Sequence, residues 1–350
     1  MCAKSNIIEQ LRAKLALAAQ QSQRGVILQP GAIGDCILTL PLAEFMKETV
    51  CQGGIDVIGH TEYTGILPGR SCVDAVRSMD SMGLHRLFAG EQEFALADGD
   101  PLIMAFAEYA WIVTFLGEPN SDFEQNLIFT AHCSHSAEVM ALAMKPDAGY
   151  CNHITDFYRG QFFEQSGLSA EEHKAAVGMP LIRPTPADIN KGREILAENG
   201  VLQMRKPVIV HPGSGGKHKC WHLDNFLSVA RILADEGAEV VFLLGPAELE
   251  RFGASTRAKI EDVGRLLMNL SLVEVLAVLS NAGGFIGNDS GITHLAAALG
   301  IRTVTVFGPT EPAVYGPLGP AVTVLKSDES DFAGAISEGL QEKAARALVQ

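Results

Sequence analysis

The sequence lacks an apolar run long enough to span a membrane, and its N-terminus lacks the pattern of an export signal. A transmembrane helix needs about 20 consecutive apolar residues, whereas the longest candidate, residues 101–116, is shorter and contains Glu108. The first residues do not show the basic, apolar and small-residue order of a signal peptide. The sequence therefore predicts that residues 101–116 are buried core and that the protein is cytoplasmic.

Positive charge is scarce as well. The chain has 27 Lys and Arg against 41 Asp and Glu, for a net charge of −14. Residues 1–180 hold 11 basic and 22 acidic side chains, and residues 181–350 hold 16 and 19. Nucleic-acid binding depends on lysine and arginine contacts with phosphates, so this composition predicts no nucleic-acid partner. It also argues against a strong electrostatic attachment to an anionic membrane.

The seven cysteines include no Cys-x-x-Cys pair, and their number is odd. Together with the missing export signal, this predicts free thiols rather than disulfides. Cys133, His135, Cys151 and His153 form two Cys-x-His pairs, which could in principle hold zinc. Structural zinc sites usually separate paired ligands by two to four residues, so we expect no metal.

Length and composition favour two α/β domains. A chain of 350 residues exceeds one typical core, and 47% apolar content with 35 glycines is typical of a globular protein rich in loops. Three prolines in residues 178–187 mark a boundary. We predict domains at 1–180 and 181–330, each a doubly wound parallel sheet, followed by a C-terminal helix at 331–350.

The spacing of apolar residues and of glycine and proline places the individual elements. The predicted strands are 25–29, 55–59, 73–76, 111–116, 126–130, 207–210, 239–244, 284–287 and 303–307. The predicted helices are 5–20, 36–48, 82–97, 101–110, 152–166, 188–198, 223–236, 247–259, 272–280, 292–299 and 331–349. Residues 80–150 have the weakest pattern.

The first chemically suggestive loop, residues 30–35, lies between a predicted strand and a predicted helix. Gly31 and Gly34 allow a tight backbone, with Ala32 between them. Asp35 either caps the helix or projects a carboxylate into the ligand-binding edge of the sheet. The pattern is not Gly-x-Gly-x-x-Gly, and an acid here would repel a phosphate. The loop therefore favours a base or a hydroxyl-binding group.

Two further loops have the composition of a phosphate site. Residues 211–221 combine Gly and Ser with Lys217 and Lys219, although the P-loop spacing is absent and each lysine could be merely solvated. Glu248 follows another strand, where it could accept hydrogen bonds from ribose hydroxyls or stabilise the first helical turn.

Residues 284–309 read as strand, polar turn, helix and strand. Asp289 or Ser290 is either an ordinary N-cap or part of an anion site at a helix N-terminus. His294 is either a buried histidine with satisfied nitrogens or a hydrogen-bond partner near phosphates. Gly-x-Ser-x-Gly, His-Glu-x-x-His and Asp-x-Asp-x-Asp-Gly patterns are absent, so hydrolase triads and common metal motifs are unsupported.

Three segments, residues 30–41, 211–221 and 287–312, resemble in order and spacing the signature segments of glycosyltransferase family 9, the ADP-heptose:lipopolysaccharide heptosyltransferases. The resemblance implies a GT-B fold with two Rossmann-like domains facing a cleft. It implies an acceptor site in the N-terminal domain and a nucleotide-sugar site in the C-terminal domain. Acceptor contacts are expected in residues 80–150, the part that resembles the family only loosely. It further implies inverting transfer of a sugar, with no metal or other cofactor.

The resemblance also implies residue roles. Asp35 matches the general base, and Lys219 matches the lysine that meets the donor diphosphate, with Lys217 as a second candidate. The other donor-binding residues are Gly213, Ser214 (phosphate), Glu248 (ribose), Leu270 (adenine), Asp289 (sugar and phosphate), Ser290 and Gly291 (backbone N–H groups) and His294. The acceptor-side loop contributes Gly31, Ala32 and Gly34.

Several alternatives stay open. They are a GT-B transferase with a different nucleotide-sugar donor, a nucleotide-sugar epimerase, and a non-catalytic module that binds glycan or nucleotide. The expected partners are a nucleotide-sugar and a glycan or glycolipid acceptor, with at most peripheral contact with the inner membrane. The acidic N-terminal half fits poorly with a phosphorylated lipid acceptor and favours a less anionic glycan.

Overall fold

The computed structural model describes residues 23–168, 178–201, 206–327, 332 and 339–349. They form two compact units. The first comprises the described residues up to Gly31, Thr39–Ala148 and the described part of Thr155–Ala175, and the second comprises Ala32–Leu38, Gly149–Ile154 and the described part of Ala176–Gln350. The predicted helix at 5–20 lies outside the described residues, and the predicted boundary at 180 stays a prediction.

The first unit contains a five-stranded parallel sheet in the order β3-β2-β1-β4-β5. Its strands are β1 (Arg24–Gln29), β2 (Gly54–Gly59), β3 (Ala75–Ser78), β4 (Tyr109–Thr114) and β5 (Glu138–Ala141). The helices from this part of the chain are α1 (Ile33–Thr49), α2 (Thr61–Thr64), α3 (Pro101–Phe106), α4 (Asp122–His132) and α5 (Ile154–Ser166). Two 3-10 turns lie at Met79–Ser81 and Leu84–Phe88.

The second unit contains a six-stranded parallel sheet in the order β11-β10-β9-β6-β7-β8, which is the Rossmann order. Its strands are β6 (Val208–His211), β7 (Val240–Leu244), β8 (Arg265–Met268), β9 (Gly284–Asn288), β10 (Thr303–Phe307) and β11 (Val322–Lys326). Its helices are α6 (Pro186–Glu198), α7 (Leu223–Asp235), α8 (Pro246–Arg251), α9 (Ala254–Glu261), α10 (Leu272–Leu279), α11 (Gly291–Ala298), α12 (Pro312–Tyr315) and α13 (Leu340–Val349).

The central strands are buried on both faces, because helices cover both sides of a parallel sheet. All residues of β7, β9 and β10 are buried. Strand β7 is wholly apolar, whereas β9 also buries Asn288 and β10 also buries two threonines. Each sheet reverses its strand order once, between β1 and β4 and between β6 and β9. Open α/β sheets bind ligands at the carboxyl ends of the strands beside such a switch point. The predicted α/β fold is confirmed.

Three predicted elements in residues 80–130 are wrong or too long. Residues 126–130 belong to α4 rather than to a strand, because Phe123, Leu127 and Ala131 repeat every four residues and bury one helical face. Residues 82–97 contain only a short 3-10 turn. Gly83 has a left-handed backbone at its start, and Gly90 lies beyond its end.

The predicted helix at 101–110 ends at Phe106, and strand β4 begins three residues later at Tyr109. Leu102, Phe106 and Ile112 are fully buried, which confirms the segment as core. Among the described residues, no helix is long and apolar enough to cross a membrane.

In the second half, the predicted helix at 247–259 is two helices, α8 and α9, separated by Phe252 and Gly253.

Strands β5, β8 and β11 were not predicted. Each has only four or five residues and exposed or half-exposed positions, so none shows a clear apolar run.

Candidate functional site at the switch point of the second sheet

The loops after β6 and β9 meet because these strands are neighbours, with His211 opposite Gly287. Asn288, which is fully buried, joins them. Its Nδ2 donates to the carbonyl of Pro212 at 2.9 Å, and its Oδ1 accepts from the backbone N–H of Trp221 at 2.8 Å. Ser214 adds a hydrogen bond from its hydroxyl to the carbonyl of Asp289 at 2.7 Å. The two loops predicted to contact phosphate are therefore one connected structure.

Asp289 is the centre of a polar cluster, here called the Asp289 cluster, formed with Lys219, Thr310 and His294. Lys219 Nζ lies 2.8 Å from Asp289 Oδ2, and the Thr310 hydroxyl donates to the same oxygen at 2.9 Å. His294 Nε2 lies 3.8 Å from Asp289 Oδ1. The cluster thus holds Oδ2 of one carboxylate by two hydrogen bonds at the carboxyl edge of the sheet, with the His294 ring near Oδ1.

The Asp289 carboxylate is ionised at neutral pH although its side chain is only 8% exposed. Burial alone would raise its pKa, but the nearby His294 ring and the Lys219 ammonium group outweigh burial and lower the pKa to about 2. The Lys219 side chain is 33% exposed, so part of it faces solvent. His294 is buried, and its Nδ1 has no hydrogen-bond partner among the described residues.

Ser290 is the N-cap of α11, and its hydroxyl accepts from the backbone N–H of Thr293 at 3.3 Å. Of the two predicted cap candidates, the structure selects Ser290 over Asp289. The first turn of α11, starting at Gly291, still presents N–H groups and the positive end of the helix dipole. Capping and anion binding are compatible here, and anion binding stays a prediction.

Glu248 is buried and its Oε2 accepts from the backbone N–H of Gly245 at 2.8 Å, so it caps α8. Its carboxylate lies against Gly213, where any Cβ would overlap it. The helix-stabilising alternative for Glu248 is therefore what the structure describes, and contact with a ribose stays a prediction. Gly213 has a clear steric reason to be glycine.

An apolar pocket of about 180 Å³ lies beside this site. Its lining includes Leu244, Pro246, Leu270 and Val275. His211 also lines it, and its Nδ1 lies 2.9 Å from the carbonyl of Leu243. An apolar pocket next to an anion-suited loop fits the ring of a nucleotide base. Leu270 lines this pocket, and its contact with adenine stays a prediction.

Asp35 lies in the first turn of α1, where its Oδ2 accepts from the backbone N–H of Ala32 at 3.0 Å. Gly31 donates its N–H to the Gln29 side chain at 2.8 Å. Residues 32–38 belong to the second unit, and there a Cβ on Gly34 would lie 3.2 Å from His294 Cδ2. Asp35 therefore makes a capping contact, while its role as a base stays a prediction.

Sequence reasoning missed three contributors. Thr310 follows β10, and its position at a strand's carboxyl end was the available signal. Asn288 was assigned only to a turn, although it joins both loops. Arg251 Nη1 lies 3.4 Å from the carbonyl of Ser214 and 3.4 Å from Cys220 Sγ. Lys217 is exposed and lies outside the Asp289 cluster, so the structure places Lys219 rather than Lys217 beside Asp289.

The four Cys and His side chains considered for zinc are not brought together. His135 bonds to the carbonyl of Tyr109 at 2.8 Å in the first unit, and His153 bonds to the carbonyl of Gly316 at 2.9 Å in the second. Cys133 and Cys151 are exposed free thiols. Within the described part of the chain, no group of three or more His, Cys, Asp or Glu side chains could hold a metal ion.

The chain has two parallel sheets, each packed between helices, and a basic loop lies at the switch point of the second sheet. This is a Rossmann-type protein of the GT-B fold class. The model of glycosyltransferase family 9 (heptosyltransferase) matches residues 151–338, more than half of the chain, so the chain belongs to this family. It is accordingly an enzyme of the glycosyltransferase type.

Individual proteins agree with this assignment. The lipopolysaccharide heptosyltransferase 1 of Campylobacter coli is 26% identical over 302 residues, covering 81% of this chain and 83% of that protein. The lipooligosaccharide heptosyltransferase 2 of Haemophilus influenzae is 27% identical over 165 residues. This match covers 44% of this chain and about half (47%) of that relative. The structure of Escherichia coli ADP-heptose LPS heptosyltransferase II has a TM-score of 0.67 at 17% identity, covering 94% of this chain and 99% of that one.

Proposed function

We propose that this protein is an inverting, metal-independent heptosyltransferase that moves a heptose from ADP-heptose to a hydroxyl of a lipopolysaccharide core or related surface glycan. Family membership and the names of the relatives support the reaction type. The observation that carries the proposal is the Asp289 cluster. It holds a partly exposed lysine next to the N-terminus of α11, at the place where Rossmann-type sheets bind nucleotides.

The donor is proposed to lie across this edge of the second sheet. Its diphosphate contacts Lys219 and the N–H groups that begin at Ser290 and Gly291. Its adenine enters the apolar pocket beside Leu270. Its ribose hydroxyls approach Glu248, whose carboxylate is already oriented by the bond to Gly245.

The chemistry then needs one base and one stabilised leaving group. The acceptor oxygen attacks the anomeric carbon as Asp35 takes its proton, and the bond to the donor phosphate breaks on the opposite face. The departing ADP gains negative charge, which Lys219 and the α11 N-terminus stabilise. Fixed cationic and N–H groups thus do the work that a divalent metal does in other transferases.

The decisive experiment separates donor binding from transfer. Asp35→Asn should reduce the transfer rate about 100-fold or more, since general base catalysis contributes that much, and should leave ADP affinity within about twofold. Lys219→Met should weaken ADP binding about tenfold, because it removes a charge-assisted contact. Lys217→Met is the matched control and should bind ADP like the wild type. Calorimetric titration of ADP and a radiolabelled transfer assay supply the two measurements.

Three outcomes would count against the proposal. Full transfer by Asp35→Asn would remove the assigned base. If Lys217→Met lost ADP binding and Lys219→Met did not, Lys217 rather than Lys219 would contact the diphosphate. If NMR showed that the protein converts ADP-heptose to another nucleotide-sugar in the absence of an acceptor, the protein would be an epimerase. The rate should also be unchanged by EDTA, since the proposal contains no metal.

A further inference from the structure

A second pocket, here called the aromatic–acidic pocket, lies in the first unit at the carboxyl end of β4. Its volume is about 480 Å³, which falls in the range of small-molecule sites. Its lining combines three aromatic rings and a methionine with two carboxylates: Phe88, Phe115, Phe123, Met144, Glu118 and Asp122. The donor site of the second unit shares none of these residues, so the pocket is a separate site with its own chemistry.

The aromatic side of the pocket is formed by Phe88 and Phe123, whose ring centroids are 4.7 Å apart. Phe88 is 53% exposed, whereas Phe115 and Phe123 are buried. Leaving a large ring half in water forgoes the stabilisation of burying it, about 25 cal/mol per Å². A ligand with an apolar face recovers that stabilisation, and a pyranose ring presents such a face of C–H groups.

The polar side of the pocket is acidic. Glu118 and Asp122 are exposed, and neither carboxylate has a hydrogen-bond or ion-pair partner among the described residues. Carboxylates accept hydrogen bonds from hydroxyl groups and repel phosphates and other carboxylates. Among the described residues, no lysine or arginine lines the pocket. Its recognition chemistry therefore selects a ligand with hydroxyl groups and without acidic groups.

The loop that carries Glu118 is held in place before any ligand binds. Gly117 has φ of +80°, and a Cβ there would lie 2.6 Å from the Phe123 ring. The Ser121 hydroxyl donates to the carbonyl of Glu118 at 2.5 Å, and the Asn120 N–H donates to the Glu124 side chain at 2.7 Å. Pre-organisation of this kind lowers the entropic cost of binding.

The pocket also has the position expected of a substrate site. Phe115 follows β4 directly, and its N–H donates to the carbonyl of Leu28 in β1 at 2.9 Å. β1 and β4 flank the switch point of the first sheet, and β1 leads through a short loop into helix α1, whose first turn contains Asp35. Open α/β sheets bind their ligands at this edge.

We propose that the aromatic–acidic pocket binds one sugar ring of the acceptor, and that this ring carries hydroxyl groups but no phosphate or carboxylate. The ring packs its C–H face on Phe88 and donates hydroxyl protons to Glu118 and Asp122. The assignment of this sugar to the acceptor rests on the proposed function. The binding of a neutral sugar in the pocket does not.

A direct binding measurement tests this without a donor or a transfer reaction. The probes are methyl α-D-mannopyranoside and its 6-phosphate, which differ by one acidic group. The resonance of the Met144 methyl group, followed in methionine-labelled protein, reports binding because Met144 lines the pocket. We expect the neutral probe to shift this resonance with saturation, and its phosphate to bind at least about fivefold more weakly, since two carboxylates repel it.

Two matched pairs of variants locate the site. Phe88→Ala should weaken the neutral probe at least about fivefold, whereas Phe129→Ala, which removes an equally exposed ring (55%) outside the lining, should not. Glu118→Lys with Asp122→Lys should make the phosphorylated probe the tighter ligand. The control pair Glu93→Lys with Asp98→Lys makes the same charge change at exposed positions outside the pocket and should leave the preference as in the wild type.

The inference is overturned if the neutral probe does not shift the Met144 resonance, if the phosphorylated probe binds at least as well, or if both phenylalanine variants behave alike. Failure of the donor proposal has a different signature. In that case ADP would not bind, and the Met144 titration with the neutral sugar would be unchanged.

Discussion

At the residue scale, Gly213 shows how one missing side chain shapes the donor site. Its α-carbon faces the buried carboxylate of Glu248, which is fixed by its bond to Gly245. We expect Gly213→Ala to displace Glu248 and to destabilise the protein by about 1–3 kcal/mol. Gly215→Ala is the matched control, because nothing lies within 4 Å of a Cβ at that position. Urea denaturation of both variants measures the difference, and equal stabilities would contradict the packing described here.

The Asp289 carboxylate gives a pH-dependent prediction. Its pKa is about 2 in the folded protein and 3.8 as the ordinary value. Because the folded pKa is the lower one, the cluster's contribution to stability is fully present above about pH 4. It is lost as pH falls from about 4 to 2, and amounts to about 2 kcal/mol.

Comparison of the wild type with Asp289→Asn isolates this effect from general acid denaturation. The difference in free energy of unfolding between the two proteins should be larger at pH 5 and shrink by about 2 kcal/mol toward pH 2. Urea denaturation of both proteins at several pH values measures this difference in free energy of unfolding. A difference that does not change with pH would mean that Asp289 is not the ionised centre of the cluster.

At the scale of single elements, the contact between α6 and α10 depends on a glycine. Gly192 is buried in α6, and a Cβ there would overlap the carbonyl of Ala277 in α10. Asn281 closes the contact by donating to the carbonyl of Ile189 at 3.0 Å. We expect Gly192→Ala to separate the helices and lower the free energy of unfolding by about 1–3 kcal/mol.

The control for this change lies in α5, where Gly160 is exposed and has nothing within 4 Å of a Cβ. Alanine stabilises an open helical position by about 0.5–1 kcal/mol relative to glycine. Gly160→Ala should therefore raise Tm while Gly192→Ala lowers it. Shifts of the same sign would refute the close-packing interpretation.

The elements also show what the sequence can and cannot predict. Strand β7 was predictable because parallel strands covered on both faces are nearly all apolar, and β10 because threonine and valine are β-branched. Strands β5, β8 and β11 escaped because each is short and partly exposed, so local sequence carries little signal. The segment NLIFT at 126–130 has strand composition, yet its burial against the helical face of α4 decided its structure.

The same limit applies to the donor site. Ser214 and Asp289 were predicted from loop composition, and the structure joins them across 75 residues of sequence. The contact of Thr310 with Asp289 depends on strand order, which places β10 beside β9. Pairings of that kind arise from the tertiary fold, so composition and spacing alone could not supply them.

At the scale of the whole molecule, the distribution of charge sets opposite salt dependences for the two substrates. The chain carries −14 overall, and residues 1–180 have twice as many acidic as basic side chains. A phosphorylated acceptor meets repulsion that salt screens, since the Debye length falls from about 30 Å at 0.01 M to about 8 Å at 0.15 M. We therefore expect its KM to fall about twofold to fivefold over this range.

The donor should respond in the opposite direction, because the proposed diphosphate contact is a local attraction to Lys219 that salt weakens. Its KM should rise over the same range, while an uncharged acceptor analogue should show no trend. Initial rates at 0.01 and 0.15 M salt, with one substrate saturating and the other varied, separate the three cases. If the KM of the phosphorylated acceptor rose with salt, the acceptor would be held by cationic groups, and the preference for a sugar without acidic groups would have to be abandoned with it.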